Sequence, residues 1–357
     1  VIVSSQRTGV VLGQTGTPDA PTPQAVRPYL KQFLSDLRVI DYSPFLWQPL
    51  LRGIILNVRP RRSARLYRRI WLPEGSPLLV YSLAQAAGLQ QRLGDAFRVV
   101  LGMRYGNPSI AAAIATLEAE GIERIIVVPM FPQFSSTTTG SIYDGVYQAA
   151  AGRRCPLFHT RKRSTAALRF VPPYFDHPAY IQALRDHLQA HLSRLAQPPD
   201  KIIISFHGIP RRYVETGDPY RRQCEQTAAL LAQAMGWQPD DWRLCFQSRF
   251  GPEKWLEPYT DVTLEHLAAE GIQRPLVFSP GFVTDCLETL DELGNEGRDQ
   301  FAEGGGDPAA YHLVPCLNDH PGWLDALAQL VRQNAAGWEP VAAAAPVSLR
   351  PVPAMGD

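Results

Sequence analysis

"LEAEGIERIIV" at residues 117–127 and "LAAEGIQRPLV" at residues 267–277 share seven of eleven residues at an offset of 150. Each reads as the end of a helix, a Glu-Gly stop and an apolar run. Glycine just past a helix takes the left-handed conformation without a Cβ clash, and a short Ile/Val run beyond it suits a buried strand. A second echo follows in the same order: "VPPYFDHPAYIQAL" (171–184) lines up with "VPCLNDHPGWLDAL" (314–327) at an offset of 143. Two matches in one order argue for a duplicated α/β unit.

Working outward, apolar runs predict strands near 9–13, 97–102, 124–129 and 167–171, and again near 201–206, 242–247, 275–280 and 311–315. Between them, Val26, Leu30, Phe33, Leu34 and Leu37 recur at helical spacing after Thr22-Pro23. Asn107-Pro108 opens another helix, which Gly121 closes. Further helices are expected over 219–236, 258–270 and 284–303, and after each Asp-His-Pro at 177–194 and 320–335. Such alternation implies two doubly wound parallel sheets with a cleft between them. The expected division is a first domain over 1–172, a second over 173–320, a C-terminal helix over 321–337 packing back on the first, and an Ala- and Pro-rich disordered tail over 338–357.

Composition excludes several classes. Thirty-five Lys and Arg against 34 Asp and Glu leave a net charge of +1, with no electrostatic case for nucleic acid. Five cysteines form no CxxC pair, which suits a reduced intracellular chain better than a disulfide framework or an iron–sulfur motif. No signal-peptide pattern opens the chain. The apolar stretch "PFLWQPLLRGIILNV" (44–58) is too short for a membrane span and is interrupted by Arg52; an exposed lip and a buried helix both fit it. No GxGxxG follows the first strand, and neither GxxxxGK[ST] nor GxSxG occurs, so dinucleotide, P-loop and hydrolase chemistries lack their motifs.

The chemistry-bearing residues fall at the carboxyl ends of the predicted strands, where open α/β sheets bind ligands. Arg104-Tyr105, "FPQFSSTTTGS" (131–141), His207, "QSRFG" (247–251) and "GFVTDCLETLDELGNE" (281–296) each follow a strand. Asp285, Glu288, Glu292 and Glu296 are spaced i, i+3, i+7, i+11, one stripe of an α-helix. Carboxylates with one imidazole suit a divalent cation such as Fe²⁺, and a stripe without a tight cage suits metal in transit.

These segments carry a resemblance. "GTPDAPTPQAVRPYL", "EGSPL" (74–78), "FPQFSSTTTGS", "SFHGIPRRYVETGDPY" (205–220), "FQSRFGPEKWLEPYT", "SPGFVTDCLETLDEL" and "PCLNDHP" strongly resemble the ferrochelatase family, most of all its bacterial members, from about residue 9 to about 335. The resemblance implies two Rossmann-like domains around a porphyrin cleft, a chelatase-like duplicated fold. It implies insertion of Fe²⁺ into protoporphyrin IX with release of two protons. His207 and Glu288 would be catalytic, with Asp285 supporting Glu288 and Glu292 and Glu296 forming the outer steps of a metal path. Thr15, Arg68, Ser76, Arg104, Tyr105, Gln133, Ser135 and Trp255 would line the porphyrin. No cofactor is expected to be held permanently, and the cysteine cluster that binds [2Fe–2S] in animal members is missing. Gln14-Thr15 stands where many members have Asn and a larger residue, and Cys286 where animal members have His. A cytoplasmic monomer is expected, touching the inner membrane peripherally if 44–58 is a lip. Two alternatives stay open: a chelatase for cobalt or for coproporphyrin, and a non-catalytic porphyrin or haem carrier.

Overall fold

The computed structural model describes residues 7–152, 162 and 164–338. The tail expected to be disordered thus lies outside the described residues apart from Trp338, as does Cys155. Strands β1 (Thr8–Thr17), β2 (Phe97–Gly106), β3 (Arg124–Pro129) and β4 (Ala167–Phe170) form one all-parallel sheet in the order β2-β1-β3-β4. Strands β5 (Lys201–His207), β6 (Trp242–Gln247), β7 (Pro275–Phe278) and β8 (His312–Leu313) form a second in the order β6-β5-β7-β8. The duplicated α/β architecture read from the two echoes is therefore present, strand for strand.

The repeat explains the local geometry. Gly121 and Gly271 have φ of +73° and +85°, where a side chain is strained. The next amides, Ile122 and Ile272, donate back to the Leu117 and Leu267 carbonyls at 3.0 Å each, closing both helices the same way. Each last strand leads through Asp-His-Pro into a long helix, Pro178–Leu192 or Pro321–Ala335. The first of these packs against the helix Tyr220–Met235 of the second half, and the other against Pro77–Leu93 of the first. They also pack on each other. Tyr180 and Trp323, equivalent positions of the echo, meet edge to face with ring centroids 5.9 Å apart. One buried apolar cluster runs through this junction from β1 and β3 to β5 and β7.

Two expectations are corrected, and one choice left open is decided. The helix after Asn107-Pro108 is capped by Ser109, whose hydroxyl accepts from the Ala112 amide at 3.2 Å, because the dipeptide itself forms the turn before it. The helix expected over 284–303 is not one α-helix: a loop runs to Cys286, a π-helix spans Glu288–Glu296, and an α-helix follows over Gly297–Glu303. The stretch 44–58 is not a buried helix. It forms Pro44–Leu50 and a π-turn Leu51–Ile55 leading into the helix Leu56–Ile70. Phe45, Leu46, Ile54 and Val58 project from it, Phe45 at 90% exposure, while Leu51 and Leu56 anchor it.

A buried polar knot joins the two halves behind the acidic segment. Gln85 is fully buried; its amide donates to the Val283 carbonyl at 3.0 Å and the Asn318 carbonyl at 2.8 Å, and accepts from the Thr284 hydroxyl at 3.1 Å. Gln85→Leu keeps the volume but leaves the buried Asn318 carbonyl without its donor and the Thr284 hydroxyl without its acceptor, at about 1–3 kcal/mol each, while the Val283 carbonyl keeps the Asn318 backbone amide at 3.0 Å. We expect a lower melting temperature, by several degrees in a thermal unfolding scan; an unchanged midpoint would show that the knot holds nothing.

Candidate active site

His207 is the last residue of β5, and its neighbour across the sheet is Gln247, the last residue of β6. The chain turns away at once. A Cβ on Gly208 would lie 2.8 Å from the Gln247 carbonyl oxygen and 3.2 Å from the Trp255 ring, so the residue after the histidine must be glycine. His207 Nδ1 lies 2.6 Å from the Gly208 carbonyl oxygen. A carbonyl only accepts, so Nδ1 carries the proton and Nε2 of the neutral ring keeps its lone pair. The ring sits 6.3 Å from that of Phe282, at the start of the acidic segment.

Gln247 gathers the site. Its side-chain oxygen accepts from Ser205, and its amide donates to the Glu288 carbonyl at 2.9 Å and reaches the Glu292 carboxylate at 3.5 Å. Ser248 also donates to Glu292. Burial raises the Glu292 carboxyl to about 7; the Glu288 charge adds to this, and the hydrogen bonds from Ser248 and Gln247 oppose it. Burial and then the charge of Asp291 raise the Glu296 carboxyl, with Arg69 and Arg62 pulling the other way. Beside Glu288 lie Tyr29 and Tyr67, packed edge to face at 6.4 Å. Burial, with the Glu288 charge contributing, raises both phenols, so they stay protonated at neutral pH.

Asp285 departs from the stripe. It lies in the loop before the π-helix and is buried, accepting from the Thr289 hydroxyl at 2.9 Å, the Asn318 amide at 2.7 Å and the Cys316 backbone at 3.2 Å. Its oxygens hold the chain. Among the described residues no group of three or more His, Cys, Asp or Glu side chains converges closely enough to hold a metal ion.

The expected porphyrin contacts are spread over strand ends, loops and helix ends, and several are bonded to other residues. Arg104 bonds Asp36 at 2.7 Å and Ser141 at 2.8 Å, and the Tyr105 hydroxyl donates to Asp36 at 2.8 Å. Burial alone would raise the Asp36 carboxyl, but Ser141, the Arg38 amide, Tyr105 and the Arg104 charge hold it below its usual range. Gln133 donates to Thr227 at 2.9 Å and Ser135 to Asp218 at 3.0 Å, clasping the loop after β3 to the second half. Ser76 accepts from Thr17 at 2.7 Å, and Arg68, exposed, donates to the Pro21 carbonyl at 3.2 Å. Thr15 is half-buried near the end of β1; Trp255 is buried against Gly208, its indole N–H without an acceptor among the described residues.

Sequence reasoning placed Gln247 and Ser248 at a strand end within "QSRFG" (247–251) without giving either a role, and passed over Gln85, Asp36 and Asn318 as site-builders. For Asn318 a signal existed: it stands where its echo has Phe175, an amide in place of an apolar ring. Ser248 and Asn318 have φ of 69° and 45°, the two non-glycine residues at positive φ among the described ones, and each grips one acidic side chain.

The Ferrochelatase family model matches residues 7–335. The chain is 46% identical to Ferrochelatase from Alcanivorax borkumensis over 342 residues, covering 95% of this chain and 97% of that protein. It is 48% identical to Ferrochelatase 1 from Shewanella oneidensis over 334 residues, covering 92% and 96%. Among solved structures, SirB from Bacillus subtilis with Fe³⁺ superposes with a TM-score of 0.54 at 13% identity, covering 92% of this chain and 96% of that one, a likeness of fold. With that match over nearly its whole described length, the chain belongs to the ferrochelatase family, the lyase-class chelatases that insert iron into a porphyrin in haem biosynthesis.

Proposed function

We propose that this chain inserts Fe²⁺ into protoporphyrin IX to give protohaem, with His207 taking pyrrole protons and Glu288 and Glu292 handling iron and proton on the facing side. The observation that carries the reading is the convergence on Gln247: it sits beside His207 in the sheet, donates to the Glu288 main-chain carbonyl and reaches the Glu292 carboxylate. Insertion needs two N–H protons removed from the macrocycle. An imidazole whose Nδ1 is held by a carbonyl presents Nε2 as the acceptor for one. A carboxyl titrating at about 7 can accept or release one in either direction, which suits Glu292 as an exchange point. Glu296, farther along the π-helix and half-exposed, is the outer step toward solvent. The porphyrin enters past the projecting Phe45, Leu46, Ile54 and Val58, and this lip rests on the inner membrane while the body stays in the cytoplasm. Among the described residues no helix is long and apolar enough to cross a membrane.

Anaerobic Fe²⁺ insertion assayed with protoporphyrin and coproporphyrin tests the substrate and the roles together. His207→Ala and Glu288→Gln should each lower kcat by about 10²-fold or more, the usual weight of a proton-transfer group. Insertion by wild type no faster than the uncatalysed rate would leave a carrier, unchanged turnover in both variants would remove these two roles, and preference for coproporphyrin would move the substrate assignment. Because the folded-state value of Glu292 lies above its ordinary 4.5, its contribution to stability is full at acid pH and is lost as pH rises through about 7. Glu292→Gln should therefore stabilise the protein more at pH 8 than at pH 5, relative to wild type, in melting scans at both; an equal shift at the two would contradict it. Replacing Phe45 and Leu46 by Ser should abolish co-sedimentation with lipid vesicles; undiminished binding would place the membrane contact elsewhere.

A further inference from the structure

The π-helix that carries Glu288, Glu292 and Glu296 is an unfavourable object left to itself. Long runs of this ladder are rare, and Glu288–Glu296 puts four carboxylates into nine residues without a side-chain cap at its start. Like charges at neighbouring positions repel. Something outside the helix must fix its winding.

Three contacts do so. Gln247 holds the Glu288 carbonyl, and the Tyr311 hydroxyl holds the Leu293 carbonyl at 2.6 Å; both come from the second half. The third comes from the first half and is ionic. Arg69 Nε lies 3.0 Å from Asp291 Oδ1, with the Asp291 side chain only 2% exposed. Asn295, one turn on, donates to the same oxygen at 2.9 Å. Arg69 belongs to the helix Leu56–Ile70, which continues the apolar lip, and Leu287 and Leu290 pack into the cluster that this helix lines. The wider winding also matters. Each residue of a π-helix turns through less than the 100° of an α-helix, so Asp291 is rotated farther from the Glu288–Glu292 side than an α-helix would leave it, toward Arg69.

We propose that Arg69 and Asp291 are a positioning pair: their bond fixes the π-winding and thereby keeps Glu288 and Glu292 beside Gln247 and the His207 strand end. Neither residue touches the reacting atoms. The inference rests on Glu288 being a reacting-face carboxylate, and one arm of its test needs no turnover.

The variants are Arg69→Ala, Arg69→Lys, Asp291→Asn and the double Arg69→Ala/Asp291→Asn. Fe²⁺ insertion kinetics, melting temperature and amide exchange by mass spectrometry are measured on each. Arg69→Ala and Asp291→Asn should each lower kcat about ten-fold, with KM for porphyrin changed by less than about three-fold, and the double should be no worse than the poorer single, as for two ends of one interaction. Arg69→Lys should recover most of the loss. Amides of 288–296 should exchange faster in Arg69→Ala while those of β1 to β8 do not change. Unaltered exchange over 288–296, faster exchange with kcat intact, or losses that multiply in the double variant would each overturn the proposal. Should Asp291→Asn fail to fold, the two variants at half-exposed Arg69 still decide it. If Glu288→Gln retains full activity, the site reading fails, whereas the exchange arm still reports whether the pair holds the helix.

Discussion

A buried aspartate with no ion pair among the described residues sets the start of the acidic segment. Asp285 is buried, and its two oxygens are satisfied by a hydroxyl, a side-chain amide and a backbone N–H. A buried charge is tolerated only when it is so bonded. Each donor therefore fixes a piece of chain: Thr289 the first turn of the π-helix, Asn318 and Cys316 the loop after β8. Gln85 from the other half ties the same two stretches together through their carbonyls. The residues beyond Asp285, Glu288 and Glu292 among them, inherit their position from this knot.

The fold was legible because it is repeated. A Gly at a helix end and a Pro after Asp-His each have one geometric reading, and each occurs twice at matching offsets, so strands as short as His312–Leu313 could be anticipated. The acidic segment was less legible. Spacing i, i+3, i+7, i+11 points to an α-helical stripe, and nothing in the local sequence distinguishes that from a π-wound segment with Asp285 left out. The difference is decided by partners distant in sequence, among them Asn318, Tyr311 and Arg69.

The candidate site was legible as a set of strand ends rather than as contacts. His207 could be placed on a sheet rim from "SFHGIP" alone, since Gly and Pro end the strand there. That Gln247 would be its neighbour needs the strand order, which skips along the chain from β5 to β6 on one side and to β7 on the other. Arg104 and Tyr105 show the opposite limit. Their position at the end of β2 was clear, while Asp36 and Ser141, which occupy their polar atoms, lie 68 and 37 residues from Arg104 along the chain.

The meeting of Tyr180 and Trp323 has an evolutionary reading. These equivalent residues pack ring against ring, and each long helix packs on the half that did not produce it. A chain of half this length with the same architecture would expose one face of its sheet until a second copy lent the missing helix. Such an ancestor is a swapped homodimer. Fusing its two genes would free the two halves to diverge, as Asn318 has diverged from its equivalent Phe175.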